Sequence, residues 1–157
     1  MKKLLGMIVL GLLWCSTSYA NIIMQDLIDA LVETKKPKSL EVANNLKSTG
    51  DSDKSYDLVI RKANLNIKDA KNIATAIKKI DQNKGPQLGT ISMSFNEDLK
   101  DEGVITILNH IPLTTSVIAF VECGITDKAG QAIIDWAAKT NNLNGIYIEV
   151  NESSTDM

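Results

Sequence analysis

Apolar positions along this chain follow two spacings in turn. A short alternating run is followed by a polar stretch, and then by apolar residues three and four apart. The alternating runs are Leu58-Val59-Ile60, Ile91-Ser92-Met93, Ile118-Ala119-Phe120 and Ile146-Tyr147-Ile148. Three of the four lead into a helical stripe: Ile73, Ala76, Ile77 and Ile80; then Val104, Ile107, Leu108 and Ile111; then Ile133, Trp136 and Ala137. A period of two predicts strands with one buried face, and a period near 3.6 predicts amphipathic helices. From Ile60 to Met93 is 33 residues, from Met93 to Phe120 is 27, and from Phe120 to Ile148 is 28. Spacing this even predicts stacked strand–helix units, none able to bury its apolar face alone.

Ahead of these units, residues 21–49 read as helical. Ile22, Ile23, Leu27, Ile28, Leu31 and Val32 fall on one stripe. Lys35-Lys36-Pro37-Lys38 breaks it, and Ser39 is placed to cap a second helix carrying Leu40, Val42, Ala43 and Leu46. A polar loop, Ser48 to Asp53, follows. The stretch Asp81 to Gln87, with Gly85-Pro86 inside it, lengthens the first period and is expected as a surface loop.

The four units share one register. With Leu58, Ile91, Ile118 and Ile146 at position 4, position 6 holds Ile60, Met93, Phe120 and Ile148. Position 9 holds Ala63, Asn96, Cys123 and Asn151, and position 16 holds Ala70, Gly103 and Gly130. Position 11 is Leu65 and Ile125, with Leu99 one residue late in the second unit. Side chains at positions 4 and 6 should point into a common interior. A side-chain amide at position 9 should satisfy turn backbone that would otherwise be buried unpaired. Glycine at position 16 would permit close packing or a positive φ.

On these residues the chain resembles a leucine-rich-repeat protein of the longer, ribonuclease-inhibitor-like class, with the pattern L-x-x-L-x-L-x-x-N/C-x-L followed by a glycine and a helix. The third unit matches through Ile118, Phe120, Cys123, Ile125 and Gly130. The second matches through Leu88, Ile91, Met93, Asn96 and Gly103, and the fourth through Leu143, Ile146, Ile148 and Asn151. The first departs from the pattern, with Ala63 where Asn or Cys is usual and no leading leucine. The resemblance covers residues 55–151. It implies an α/β fold: a short solenoid with parallel strands on one face, helices on the other and an N-terminal helical cap over 21–54. The repeat domain would run over 55–157, with strands near 58–61, 91–94, 118–121 and 146–150.

The first twenty residues stand apart. Lys2 and Lys3 precede an apolar run from Leu4 to Trp14, and Ser18-Tyr19-Ala20 has small residues where a signal peptidase reads. This is the pattern of a secretory leader cleaved after Ala20, and the run is too short to span a membrane. Trp14 before Cys15 argues against acylation of that cysteine. The expected protein is therefore secreted or periplasmic, with no membrane span once the leader is gone. Losing Lys2 and Lys3 takes the basic count from 17 to 15 against 19 acidic residues. That balance does not favour nucleic acid, which calls for a basic face. Cys123 would remain alone, without an internal disulfide, and its place on the inward ladder reads as a small buried hydrophobe.

Candidate chemistry is sparse. The sequence has no Gly-rich phosphate loop, no His-Glu-x-x-His and no Gly-x-Ser-x-Gly. His110 reads as a helix C-terminal residue rather than a general base. Asp51-x-Asp53-x-Ser55 opens like a calcium loop, but Tyr56 and Lys62 stand where Gly and Glu are required. Asn151-Glu152-Ser153 is a glycosylation sequon falling on an inward position. No catalytic residue, metal or cofactor is assigned.

The resemblance implies binding through the exposed side of the strands. Alternation places Val59, Ser92, Ala119 and Tyr147 in one row there. Arg61, Ser94, Val121 and Glu149 form the next, and Lys62, Phe95, Glu122 and Val150 a third. Phe95 and Tyr147 are the expected anchors. The partner implied is another protein. A small enzyme or ligand-binding domain is the alternative, with Asn64, Asn96, Glu97, Asp98 and Glu122 at the strand carboxyl ends. A second alternative is a subunit self-associating through the open edge at Ile146–Val150.

Overall fold

The computed structural model describes residues 20–48 and 54–149, with side chains from 23 to 47 and from 54 to 149. Two helices come first, α1 (Ala20–Glu33) and α2 (Pro37–Ser48). Then follow β1 (Ser55–Val59), α3 (Ile67–Gln82), β2 (Gln87–Ser92), a short 3-10 turn (Glu97–Leu99), α4 (Lys100–Leu108), β3 (Val117–Ala119), α5 (Asp127–Ala137) and β4 (Gly145–Tyr147). The strands form one parallel sheet in the order β1-β2-β3-β4. The fold is α/β, with five helices and a four-stranded parallel sheet. Residues 1–19 of the expected leader, Asp51, Asp53, Val150 and the Asn151 sequon lie outside the described residues.

The register is the one the apolar pattern predicts. Leu58 pairs with Ile91, Ile91 with Ile118, and Ile118 with Ile146. Leu58, Ile60, Ile91, Met93, Ile118 and Phe120 are all fully buried. They share one core with Ile73, Ile77 and Ile80 of α3, Val104 and Ile107 of α4, and Ile133 and Trp136 of α5. The helices pack in file, α1 on α3, α3 on α4, and α4 on α5. Ile148 breaks the pattern and stays 37% exposed, since no strand or helix follows it among the described residues.

The regular strands begin and end earlier than the sequence placed them. The parallel ladder nevertheless runs on past β1, β2 and β3. Lys62 N donates to the Ser94 carbonyl, Phe95 N to Val121, and Glu122 N to Glu149, at 2.7–3.4 Å. Lys62, Phe95 and Glu122 all occupy position 8, and all have left-handed backbone, with φ of 54°, 64° and 48°. That repeated bend ends each strand and aims the chain back toward the helices.

Asn96 explains why the first unit tolerates Ala63. The buried Asn96 amide serves the turn of the preceding unit. Its Oδ1 accepts from Ala63 N at 2.9 Å and Leu65 N at 3.0 Å, and its Nδ2 donates to the Ile60 carbonyl at 2.9 Å and to the Met93 carbonyl at 2.7 Å. One step along, the Cys123 thiol donates to the Met93 carbonyl at 3.2 Å. Asn96 and Cys123 thus both reach back to an earlier strand. Ala63 has no strand before it to serve, so a small apolar side chain suffices there. Burial pushes the Cys123 thiol up to about 11, against the downward pull of the Asn96 and Phe95 amides.

Several local expectations are corrected. The second helix begins at Pro37, which suits a first helical position because its missing N–H would be unpaired there anyway. Ser39 is buried inside the first turn and is not the cap. Asp81 and Gln82 belong to α3, and Gln87 to β2, so the inserted loop shrinks to 83–86. Lys84 takes the left-handed conformation that closes α3 (φ 56°), with Gly85 N donating to the Ile80 carbonyl at 2.9 Å and Lys84 N to Asp81 at 3.0 Å. Gly103 is packed as position 16 predicts, since an added Cβ would lie 3.2 Å from Leu99 Cβ. Gly130 is not, for nothing lies within 4 Å of that point.

Helix starts are held by carboxylates. In α3 the capping box Asn66/Asp69 is complete. Lys36, between α1 and α2, reaches both Asp69 and the Asn64 carbonyl, which ties the first two helices to the start of α3. The start of α5 is capped from the neighbouring unit: Asp101 accepts from Thr126 N at 2.8 Å, Thr126 Oγ1 at 2.7 Å and Ala129 N at 3.2 Å. Partial burial opposes ionisation of Asp101. The Thr126 and Ala129 hydrogen bonds and the Lys128 charge outweigh it and hold the carboxyl below its ordinary range.

Candidate functional site

The open face of the sheet is uneven, and side-chain size across the rows makes it so. In register, Val59 is 46% exposed, Ser92 and Ala119 are buried, and Tyr147 is 52% exposed. The next row runs from exposed Arg61 through buried Ser94 and half-buried Val121 to exposed Glu149. Small central residues sink between bulkier flanks, leaving a shallow trough with a cationic wall on the β1 side and an acidic one on the β4 side. Ser92 and Ser94 therefore offer little surface, contrary to the expectation of an evenly exposed face. Ser94 is engaged within the sheet, where its Oγ accepts from Val121 N at 3.2 Å and lies 3.5 Å from the Ser92 hydroxyl.

At the β1 wall the site is deeper. Helix α2 lines a groove of about 460 Å³ together with the end of the first strand. Lys38, Glu41, Val42 and Asn45 come from the helix, and Val59, Arg61, Lys62 and Phe95 from the sheet. The Phe95 ring organises the cations, with Arg61 Cζ at 5.0 Å and Lys62 Nζ at 4.9 Å from its centroid. The left-handed bend at Lys62 and Phe95 brings these side chains together at the strand ends. Lys38 pairs with Glu41 at 2.8 Å. Arg61 and Lys62 form no ion pair among the described residues. A second cleft, of about 310 Å³, shares Val42, Asn45 and Val59 with the first and runs on along Leu46, Ser55, Tyr56 and Asp57. Burial, and secondarily the Asp81 charge, raises the Tyr56 phenol, so it stays neutral at physiological pH.

The ten residues expected on the binding face thus divide. Val59, Arg61, Lys62 and Phe95 converge on the groove. Tyr147 and Glu149 stand on the far side of the trough, Val121 and Glu122 are half-buried between, and Ser92 and Ser94 are sunk. The α2 residues Lys38, Glu41, Val42 and Asn45 escaped the sequence reading. Their spacing places them on one face of the helix, and only the docking of α2 beside β1 brings that face to the groove.

The residues considered for chemistry fall elsewhere. Asn96 is fully buried with its amide engaged as described. Asn64, Glu97 and Asp98 are exposed. His110 follows α4, its Nδ1 2.8 Å from the Thr106 carbonyl. Among the described residues no group of three or more His, Cys, Asp or Glu is placed to hold a metal ion. No described helix is long and apolar enough to cross a membrane. No family model matches this chain, and no curated protein matches it significantly.

Proposed function

We propose that the chain is a short leucine-rich-repeat-like solenoid, exported by its N-terminal leader, that recognises another protein without catalysis. The observation that carries this reading is the groove at Phe95, where side chains from two strand ends and from α2 converge on an open, mixed apolar and cationic surface. The common register of the four strands and the reach-back of Asn96 and Cys123 support the repeat assignment. Export rests on Lys2, Lys3, the Leu4–Trp14 run and Ala20. The test is affinity capture from the native extracellular medium or periplasm, comparing the wild-type chain with Arg61→Ala/Phe95→Ala. Loss of a captured protein supports recognition through this face, and an unchanged set of partners counts against it. N-terminal sequencing of the exported protein should begin at Asn21.

A second reading is self-association at β4. Ile134 on α5 is 61% exposed, and Ile146, Tyr147 and Ile148 are exposed beside it. β4 is the last strand of the sheet among the described residues, and an edge with exposed apolar side chains invites a further strand. Light scattering over a concentration series would show a dimer, abolished by Ile146→Lys. A monomeric mass throughout would end this reading.

A further inference from the structure

Arg61 and Lys62 are two like charges held against one aromatic ring, and no described carboxylate neutralises them. The groove around them holds one acidic side chain, Glu41, already paired to Lys38. Three cations against one anion give it a positive balance within a chain whose overall charge is negative. Its remaining lining is the apolar Val42, Val59 and Phe95 and the polar Asn45. Together with the cleft that shares Val42, Asn45 and Val59, the groove makes a channel along the outer flank of β1, from Ser55 to Lys62. The eight residues from Ser55 to Lys62 span at most roughly 26 Å at about 3.3 Å each, which suits an extended segment of similar length. The ends of the channel differ. Asp57 lies toward one and Arg61, Lys62 and Phe95 toward the other.

The geometry points to an acidic, extended peptide segment of the partner protein as the occupant of this channel, with carboxylates on Arg61 and Lys62 and an apolar side chain between Val42, Val59 and Phe95. The inference rests on the recognition reading above and names the chemistry of what is recognised. An acidic segment offsets the repulsion between the paired cations held at the Phe95 ring. A basic segment would meet that repulsion directly. Nucleic acid would supply the anions, but it leaves the apolar channel unfilled and faces a chain of net negative charge.

The experiment is a fluorescence-polarisation titration of the protein with labelled eight-residue peptides. One alternates glutamate and leucine. A second replaces glutamate with lysine, and a third replaces leucine with serine. The glutamate–leucine peptide should bind at least about tenfold more tightly than either of the others, and more weakly as salt rises. Arg61→Gln/Lys62→Gln should lower that affinity about tenfold with an unchanged thermal melt. Arg61→Glu/Lys62→Glu should reverse the preference toward the lysine peptide. Equal affinities, or no binding of any peptide, would overturn the inference. So would retention of acidic preference in the charge-reversed variant, or a serine peptide that binds as well as the leucine one, which would mark a plain anion site. Captured partners that still depend on Arg61 and Phe95 would then leave the recognition reading standing without its acidic ligand.

Discussion

The first strand and the last occupy equivalent positions in the same sheet, yet what lies beyond them differs. Beside β1 stand α1 and α2, and their Leu27, Ile28, Leu31, Ala43 and Leu46 are buried. Beyond β4 no described element follows, and Ile146 is 37% exposed although Ile91 and Ile118, at the same register position, are fully buried. The residue type is constant along this row while the burial changes. A repeat supplies each unit's apolar face, and only a neighbour on both sides converts it into core. The closed end also carries the groove, because the helices that cover the core leave a seam where α2 meets the sheet.

Five substitutions test that contrast. The interior should be most sensitive at Asn96, whose replacement by alanine removes the partner of the buried Ala63 and Leu65 N–H groups and of the Ile60 carbonyl and should cost about 4 kcal/mol in urea unfolding. A loss under about 1 kcal/mol would mean the units are not joined through this amide. Leu31→Ala, in the cap, should cost about 3 kcal/mol, whereas Ile134→Ala at the open end should stay within about 0.5 kcal/mol. Equal losses at the two ends would show that the far end is covered in solution.

Asp101→Asn tests the joint between the last two helices and should cost about 1–2 kcal/mol at neutral pH, less than a fully buried charged hydrogen bond because the group is partly solvated. The Asp101 carboxyl is held below its ordinary value of 3.8, so its contribution is complete above that value and is lost as pH falls through the lower folded one. Thermal melts between pH 7 and 2 should therefore show a shallower acid-side decline in the variant. A small gain is expected at the α3 terminus. There Lys84→Gly should raise stability by about 0.5–1 kcal/mol, because glycine adopts the observed positive φ without penalty.

The parallel register was legible because burial selects the face of a strand, and a slip of one residue would expose Leu58, Ile91 and Ile118 together. The helical stripes were legible for the same reason. What escaped depends on partners distant in sequence. Asp101 caps a helix whose start lies 25 residues further on. Ser92 and Ser94 alternate outward like their neighbours, and only the size of the residues flanking them across the sheet decides that they are sunk. The groove was half legible: strand alternation found Val59, Arg61, Lys62 and Phe95, while the α2 wall follows from how the cap docks. At Pro37 the local signal was present, but the start of the helix was placed at Ser39, two residues late.

Lys62, Phe95 and Glu122 share one backbone bend and nothing else chemically. The bend disfavours β-branched side chains but is indifferent to whether an unbranched one is basic, aromatic or acidic. Diversification at these three points can therefore proceed without rerouting the main chain. A designer wishing to redirect the molecule toward a new target would find there a keyboard whose keys are interchangeable and whose frame stays put.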